Sequence, residues 1–331
     1  MLKIKNILII NAGGGIGDAI QFLRIFNYLN ESLNLKKIYY YACDVNKFWF
    51  ETKLKNLKPK NVFTIKSFPL HYGFRKKHIF FKPDLKKDFG IKKFDLIIDN
   101  QTKIRNTLIY KRIPHQYYLS PTFNYFFSNP KIELDKEKHV QLRITNYLEK
   151  ILNKKFTFDN KYKNINKDFS KISNKLIKKE KKYIGFSIKA GHPTRIKEFD
   201  LKEITKVAKY FEKKNYIPTF FLEEHYQKEI KFIKKSLKNS YFPELKIKKN
   251  NRDPSLVVEL GKKMNFIITI DNGVMHMLSL SGVKMFCFFA RNSDKFKPLG
   301  SENIIYDCSK NNETINKLSS DKIIKIIENN L

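Results

Sequence analysis

The sequence predicts an α/β protein built from two consecutive doubly wound domains. Three observations carry this. Short β-rich runs alternate with helical segments, the pattern of a parallel sheet with helices on its faces. The alternation fades across a lysine- and asparagine-rich stretch at 154–181 and restarts at 182. The first strand of each half runs into a glycine-rich or basic loop, the place where doubly wound domains meet ligands. A chain of 331 residues has room for two domains of about 150 residues each. The expected division is 1–160, a boundary segment at 161–181, and 182–331 with a closing helix.

In the first half, KNILIIN (5–11) is a short apolar strand that stops at glycines, and the segment from Ile16 has apolar residues at helical spacing. KIYYYAC (37–43), VFTIK (62–66) and FDLIID (94–99) are the following strands, and a helix of alternating charge covers about 135–153. In the second half, strands are expected at 182–188, 216–222, 266–270 and 284–289, with LKIK (245–248) in a further strand position. Helices are expected at 201–214, 224–237, 254–263 and 273–281, and in the tail SSDKIIKIIENNL. The apolar stretch 266–290 is interrupted by Asp271, Asn272, His276 and Lys284. It therefore reads as a buried strand, helix and strand rather than a membrane span.

Lys+Arg is 66 against 32 Asp+Glu, a formal net charge of +34. Such an excess suits an anionic partner: nucleic acid, a phosphate-bearing substrate or an acidic membrane surface. Only eight of the 66 are arginines, the residue preferred for gripping phosphates bidentately and reading bases. Lysine, isoleucine, asparagine, phenylalanine and tyrosine, all abundant here, share AT-rich codons. Coding bias thus accounts for most of the lysine, and no nucleic-acid partner is expected. Peripheral attraction to an anionic membrane surface remains as a secondary role. Cys43, Cys287 and Cys308 form no C-x-x-C pair, which opposes a disulfide framework or zinc ribbon and fits a reducing compartment. The start, MLKIKNILIINAGGG, has too short an apolar run for a signal peptide, so a cytoplasmic location is expected.

Four segments carry candidate chemistry. The first is Asn11-Ala12-Gly13-Gly14-Gly15-Ile16-Gly17-Asp18, between a strand and a helix. A dinucleotide fingerprint, G-x-G-x-x-G, counted from Gly13 meets Asp18 where its last glycine belongs. A carboxylate there repels a pyrophosphate. Asp18 either presents a carboxylate at the mouth of a cleft or favours the helix dipole in the first turn. The second is the turn Asp271-Asn272-Gly273 with His276. Asp271 is a natural N-cap, the following N–H groups aim at an anion, and Asn272 and His276 share a helical face. The third is the basic loop from Ser187 to Phe199, with Lys189, His192, Arg195 and Lys197. The fourth is Leu222-Glu223-Glu224-His225, where a carboxylate either accepts from a ribose or base, or caps the next helix.

These four pieces, in this order, resemble glycosyltransferase family 9, the heptosyltransferases of lipopolysaccharide synthesis. The carriers are I-G-D at 16–18, T-R-I-K-E-F at 194–199, L-E-E-H at 222–225 and D-N-G-V-M-H at 271–276. The resemblance implies a GT-B fold, two Rossmann-like domains facing a cleft. It implies an inverting, metal-independent transfer of a sugar, expected to be a heptose, from a nucleotide-diphosphate donor, expected to be ADP-linked. The acceptor would be a lipopolysaccharide-type, lipid-linked or related glycan. Carried over by position, Asp18 is the general base. Lys197, Asn272 and Gly273 hold the donor diphosphate, with Asp271 and His276 beside it; Glu224 approaches the nucleoside, and Thr194 is a further donor-binding residue. Gly14, Gly15 and Gly17 line the acceptor-side loop. No metal site and no resident cofactor are implied. Phe199 stands where a tryptophan is common. Two rivals compete: an NAD(P)-dependent oxidoreductase built on 13–17 with Asp44 as ribose acceptor, and a basic nucleic-acid-binding protein.

Overall fold

The computed structural model describes residues 4–11, 15–33, 35–42, 49–65, 80–132, 139–155, 161–162, 165–189, 197–248, 252–300 and 302–331. The chain divides into two units, Met1–Thr157 and Phe158–Leu331.

In the first unit the elements are β1 (Asn6–Asn11), α1 (Ile16–Ser32), β2 (Lys37–Ala42), β3 (Val62–Thr64), α2 (Leu85–Phe89), β4 (Phe94–Asp99), α3 (Ile104–Tyr110), β5 (His115–Leu119) and α4 (Val140–Leu152). The five strands form one sheet in the order β3-β2-β1-β4-β5, and every pairing is parallel. The central strands NILIIN and FDLIID are apolar almost throughout because helices cover both faces of such a sheet. Beneath α1 the Tyr40 ring sits among Phe22, Phe26 and Phe50, with centroids 4.7–5.9 Å away. On the other face Tyr39 meets Phe89 and Phe94 edge-on.

In the second unit α5 (Lys167–Leu176) precedes β6 (Lys182–Ser187), α6 (Leu201–Lys213), β7 (Tyr216–Phe220), α7 (Gln227–Ser236), α8 (Pro254–Gly261), β8 (Phe266–Ile270), α9 (Gly273–Ser279), β9 (Met285–Phe289), α10 (Ser293–Phe296), β10 (Ile304–Asp307) and α11 (Ser320–Glu328). The sheet order is β10-β9-β8-β6-β7, again all parallel. The buried run 266–290 is the strand, helix and strand its polar interruptions predict. Among the described residues no helix is long and apolar enough to cross a membrane.

Three local expectations change. LKIK at 245–248 is not a strand: Pro243–Lys246 is a 3-10 turn. The place beside β7 is already taken by Tyr241, which exchanges backbone bonds with Pro218 and Phe220 at 2.8 Å each. Residues 167–176, without clear pattern in the sequence, form α5, capped where Asn166 accepts the Asp168 N–H at 2.9 Å, and packed against α8. The edge strands β5 (HQYYL) and β10 (IIYD) lie outside the expected set. Each is partly exposed, so its apolar signal is diluted.

Each sheet reverses direction once. From β1 the chain goes to β2 and β3 on one side and returns to β4 on the other; from β6 it goes to β7 and returns to β8. The crevices outside the carboxyl ends of β1/β4 and of β6/β8 are therefore the topological switch points, where open α/β sheets bind ligands.

Gly185 in the middle of β6 has no room for a side chain. A Cβ there would stand 3.0 Å from both Ile267 and Phe221 and 3.3 Å from Met264. Gly185→Ala is expected to destabilise the protein by about 1–3 kcal/mol through overpacking. Denaturant melts of the two proteins check this, and an unchanged midpoint would contradict the packing described.

Candidate active site

At the switch point of the second sheet, β8 ends at Ile270 and the chain turns through Asp271 and Asn272 into α9. The N-cap is Asn272 and not Asp271. Asn272 Oδ1 accepts the Met275 N–H at 2.7 Å, while the Asp271 N–H still donates to Phe288 O across the sheet at 3.3 Å. Asp271 is thus still bonded to the neighbouring strand one residue beyond the end of β8. Asn272 Nδ2 donates to Ser187 Oγ and to Lys189 O, both at 2.9 Å. An amide offers acceptor and donors together. This one buried side chain therefore caps α9 and ties the end of β8 to the loop leaving β6. His276 is buried one turn further along α9.

Asp271 forms an ion pair with Lys197, the two side chains being only 10% and 20% exposed. Two residues on, Phe199 is buried edge-on to Phe288, 5.2 Å between centroids, which anchors the segment carrying Lys197. Lys189 is engaged differently. Its Nζ meets Glu198 at 2.6 Å and Glu229 at 3.0 Å and lies 5.4 Å from the centre of the Tyr226 ring. Burial opposes the charged form of Lys189, but the two carboxylates outweigh it and hold the ammonium above its usual range.

Beyond β7, Glu224 is exposed and salt-bridged to Arg252 at 3.2 Å. The Glu244 carboxyl is pushed up to about 7 by burial and by the charge of Glu223, against the pull of Arg252. Glu244 and Arg252 belong to this charged group although neither lies in a segment singled out from the sequence. Thr194 lies outside the described residues, as do His192 and Arg195. Among the described residues no group of three or more His, Cys, Asp or Glu is arranged to hold a metal ion.

At the switch point of the first sheet, Asp18 is the third residue of α1. Its Oδ2 accepts the Gly15 N–H at 3.0 Å, so the carboxylate stands at the helix N-terminus, half-buried. Asn11, the last residue of β1, donates to Asp18 O at 3.2 Å and to the Tyr40 hydroxyl at 2.9 Å. Gly15 is extended, φ −105° and ψ 159°, a conformation open to any residue. Gly17 lies in the first turn of α1, and Gly14 is outside the described residues.

The sequence matches the model of glycosyltransferase family 9 (heptosyltransferase) over residues 83–326. The chain belongs to this family. A family 9 glycosyltransferase from Veillonella parvula has a similar structure: TM-score 0.68, 17% identity, 99% of this chain and 98% of that one covered. E. coli heptosyltransferase WaaC, solved with ADP-2-deoxy-2-fluoro heptose, is similar at TM-score 0.67 and 14% identity, with 98% and 100% covered. E. coli ADP-heptose lps heptosyltransferase II gives 0.64 and 14%, with 98% of both chains covered. The sequence matches no curated protein. The two Rossmann-like sheets are thus those of a GT-B-type glycosyltransferase. Membership displaces the oxidoreductase and nucleic-acid readings; Asp44, on which the first leaned, is outside the described residues.

Sequence reasoning missed the polar network at the carboxyl end of β4, beside β1, in this family 9 enzyme. Asp99 is fully buried. Its Oδ2 accepts from the Tyr118 hydroxyl at 2.7 Å and Thr107 Oγ1 at 3.1 Å, and its Oδ1 accepts the Gln101 N–H at 3.0 Å. Next to it, Asn100 Oδ1 accepts from Arg143 Nη2 at 2.6 Å. The only sequence signal was the polar break D-N-Q-T after an apolar strand. Burial outweighs these donors and the nearby Ser120 hydroxyl, and lifts the Asp99 carboxyl from 3.8 to about 7.

That shift has a consequence for stability. Between about pH 4 and 7 the folded state keeps a proton on Asp99 that the unfolded chain has lost, so stability falls as pH rises through this window. At about 1.4 kcal/mol per pH unit, the loss is roughly 3–5 kcal/mol in total. Asp99→Asn cannot ionise and should lack this component. Urea unfolding of both proteins at the two ends of the window measures it, and parallel pH dependences would contradict a proton on Asp99.

Proposed function

We propose that the enzyme transfers a heptose, with inversion and without a metal ion, from an ADP-linked donor to a lipopolysaccharide-type or lipid-linked glycan acceptor. The reading places this at the inner face of the cytoplasmic membrane, with peripheral contact to its anionic surface. The observation that carries it is the Lys197–Asp271 pair set against the Asn272-capped start of α9, within the family of heptosyltransferases. The choice of ADP and heptose follows the ligand in the WaaC structure.

The reaction is a single displacement. The acceptor oxygen forms a bond to the anomeric carbon as the bond from that carbon to the diphosphate breaks. The acceptor proton goes to the Asp18 carboxylate. Negative charge builds on the leaving diphosphate and is met by the Lys197 ammonium. The N–H groups of Gly273 and Val274 have no intrahelical acceptor and add to it. Asp271 orients Lys197; His276 backs the turn. Glu224, held by Arg252, receives the nucleoside. Asp18 belongs to the first unit, the acceptor side of the proposed reaction, and these cations to the second. Thr194 belongs to the donor set, and Gly14, Gly15 and Gly17 to the acceptor side.

Lys197→Ala should raise the donor dissociation constant tenfold or more, since a charge-assisted contact contributes about 1.5–3 kcal/mol. It also strands Asp271 without its cation, so the melting temperature is measured alongside. Asp271→Asn, which keeps the cation and loosens it, should weaken donor binding less. Calorimetry with ADP and an ADP-sugar reads both, and wild-type affinity in a folded Lys197→Ala protein would remove this site.

Asp18→Asn keeps the cap's shape and removes its basicity. Sugar transfer is expected to fall by roughly 10²–10⁴-fold, with donor affinity within about threefold of wild type. If Asp18 only favours the helix N-terminus, turnover stays near normal and stability drops by about 0.3–1 kcal/mol. Measuring turnover and melting on that one variant separates the roles.

A further inference from the structure

Among the described residues of the first unit, six large apolar side chains are exposed; Phe80 and Phe63 stand apart in sequence, and the other four fall in α3 and the loop after β5. Phe123 and Phe126 are each 65% exposed, and Leu108 and Ile104 are 48% and 43% exposed. Ile104, Leu108 and Lys111 are spaced i, i+4 and i+7, one stripe along α3 and its end. Lys111 Nζ stands 5.4 Å from the centre of the Phe127 ring. Phe127 in turn meets Phe126 at 5.2 Å and Phe123 at 6.2 Å, and Lys131 Nζ lies 4.7 Å from the Phe126 ring centre. Helix stripe and aromatic loop therefore make one continuous surface, in which ammonium groups sit on the rings.

The loop is held in an unfavourable backbone to do this. Phe123, Asn124 and Tyr125 have φ of 49°, 50° and 66°, the left-handed region that asparagine tolerates but that is costly for Phe123 and Tyr125. It is closed underneath by Ser128 N–H to Tyr125 O at 2.9 Å and by the paired bonds between Tyr118 and Asn129. Tyr125 turns inward and is buried while the flanking rings point out. A chain folding only for its core has no reason to hold two phenylalanines in water on such a turn.

The charge around the patch is one-sided. Between Asp99 and Glu133 there is no acid, while Lys103, Arg105, Lys111, Arg112 and Lys131 all fall in that interval. Over the whole chain there is about one acid for every two cations, 32 against 66. Coding bias toward lysine explains a general excess but not this local loss of acids. Exposed aromatic rings with lysines on them, in a stretch of chain that carries no acid, are the chemistry of a surface that seats at an anionic lipid interface. The rings enter the headgroup–acyl boundary and the cations meet the phosphates.

We propose that the α3 stripe and the Phe123–Phe126 turn form the membrane-docking face of this enzyme, and that its occupant is the surface of an anionic bilayer. The loop follows β5 and α3 follows β4, so this face flanks the carboxyl end of the first sheet, the end that carries Asp18. A lipid-linked acceptor held in the same bilayer would be presented to that end. The proposal deepens the membrane contact of the proposed function and rests on that reading for its purpose, not for its chemistry.

The test is sedimentation of the whole protein with vesicles of phosphatidylcholine alone and of phosphatidylcholine with phosphatidylglycerol. Wild type should sediment with the anionic vesicles, less so as salt rises, and stay in solution with the neutral ones. Phe123→Ser combined with Phe126→Ser should lower vesicle affinity tenfold or more. Lys111→Glu with Lys131→Glu should lower it further, since each surface cation contributes about fivefold. All these side chains are exposed, so the variants should keep the wild-type melting temperature and ADP affinity. Wild type that ignores anionic vesicles, or an aromatic double variant that sediments like wild type, overturns the proposal. So does a dimer by light scattering that the aromatic variant splits without any change on vesicles, which would make the face a contact between copies. Loss of vesicle binding with intact ADP binding and transfer to a soluble acceptor supports the docking face. Vesicle binding without ADP binding fails the donor reading and leaves the face standing.

Discussion

A parallel sheet covered by helices on both faces leaves polar chemistry only the ends of its strands. Backbone groups in the middle are paired along the ladder and side chains there must be apolar. Both sheets of this enzyme obey that constraint, and both candidate half-sites follow from it. At β8 the apolar strand gives way to Asp271 and Asn272; at β1 it gives way to Asn11 and, across the loop, Asp18; at β4 it gives way to Asp99 and Asn100. Each of these polar residues lies where the sheet reverses its winding and a crevice opens.

Within that frame the Asn272 side chain organises the second half-site. It must satisfy a helix N-terminus on one side and a loop on the other, and only a group with both donors and an acceptor does so. Aspartate at that position would keep the cap and could still accept from the Ser187 hydroxyl, but would lose the bond to the Lys189 carbonyl. With the loop held, Lys197 meets Asp271, and a cation stands at the strand end with its orientation set by a nearly buried carboxylate. The neighbouring Lys189 is neutralised twice over by Glu198 and Glu229 and serves as structure. Two lysines eight residues apart thus take different parts, and the difference lies in how many carboxylates each one meets.

The charge of the chain separates in the same way. Most of the +34 is lysine without an assigned partner chemistry. The cations between Asp99 and Glu133 differ because acids are missing there and phenylalanines are exposed beside them. Position relative to apolar surface, and not the total, gives a basic residue a role.

The alternation of apolar runs and amphipathic helices was enough to predict two doubly wound units, because the period of burial is written directly into residue order. The segments that hold Asp18, Lys197, Glu224, Asp271, Asn272, Gly273 and His276 stand out in the sequence because they break apolar runs at strand ends. The N-cap was misassigned by one residue, since whether Asp271 still pairs with β9 depends on a strand distant in sequence. LKIK and α5 were misjudged for a related reason. The edge of β7 was already occupied by Tyr241, and the amphipathic face of α5 acquires meaning only against α8. Asp99 was invisible as a special group because its raised pKa comes from burial among Tyr118, Thr107 and Gln101, which meet it only in the fold. Local composition and period are properties of neighbours in the chain and can be read there. Pairing, desolvation and the choice of which lysine meets which carboxylate are properties of neighbours in space, and the tertiary structure alone decides them.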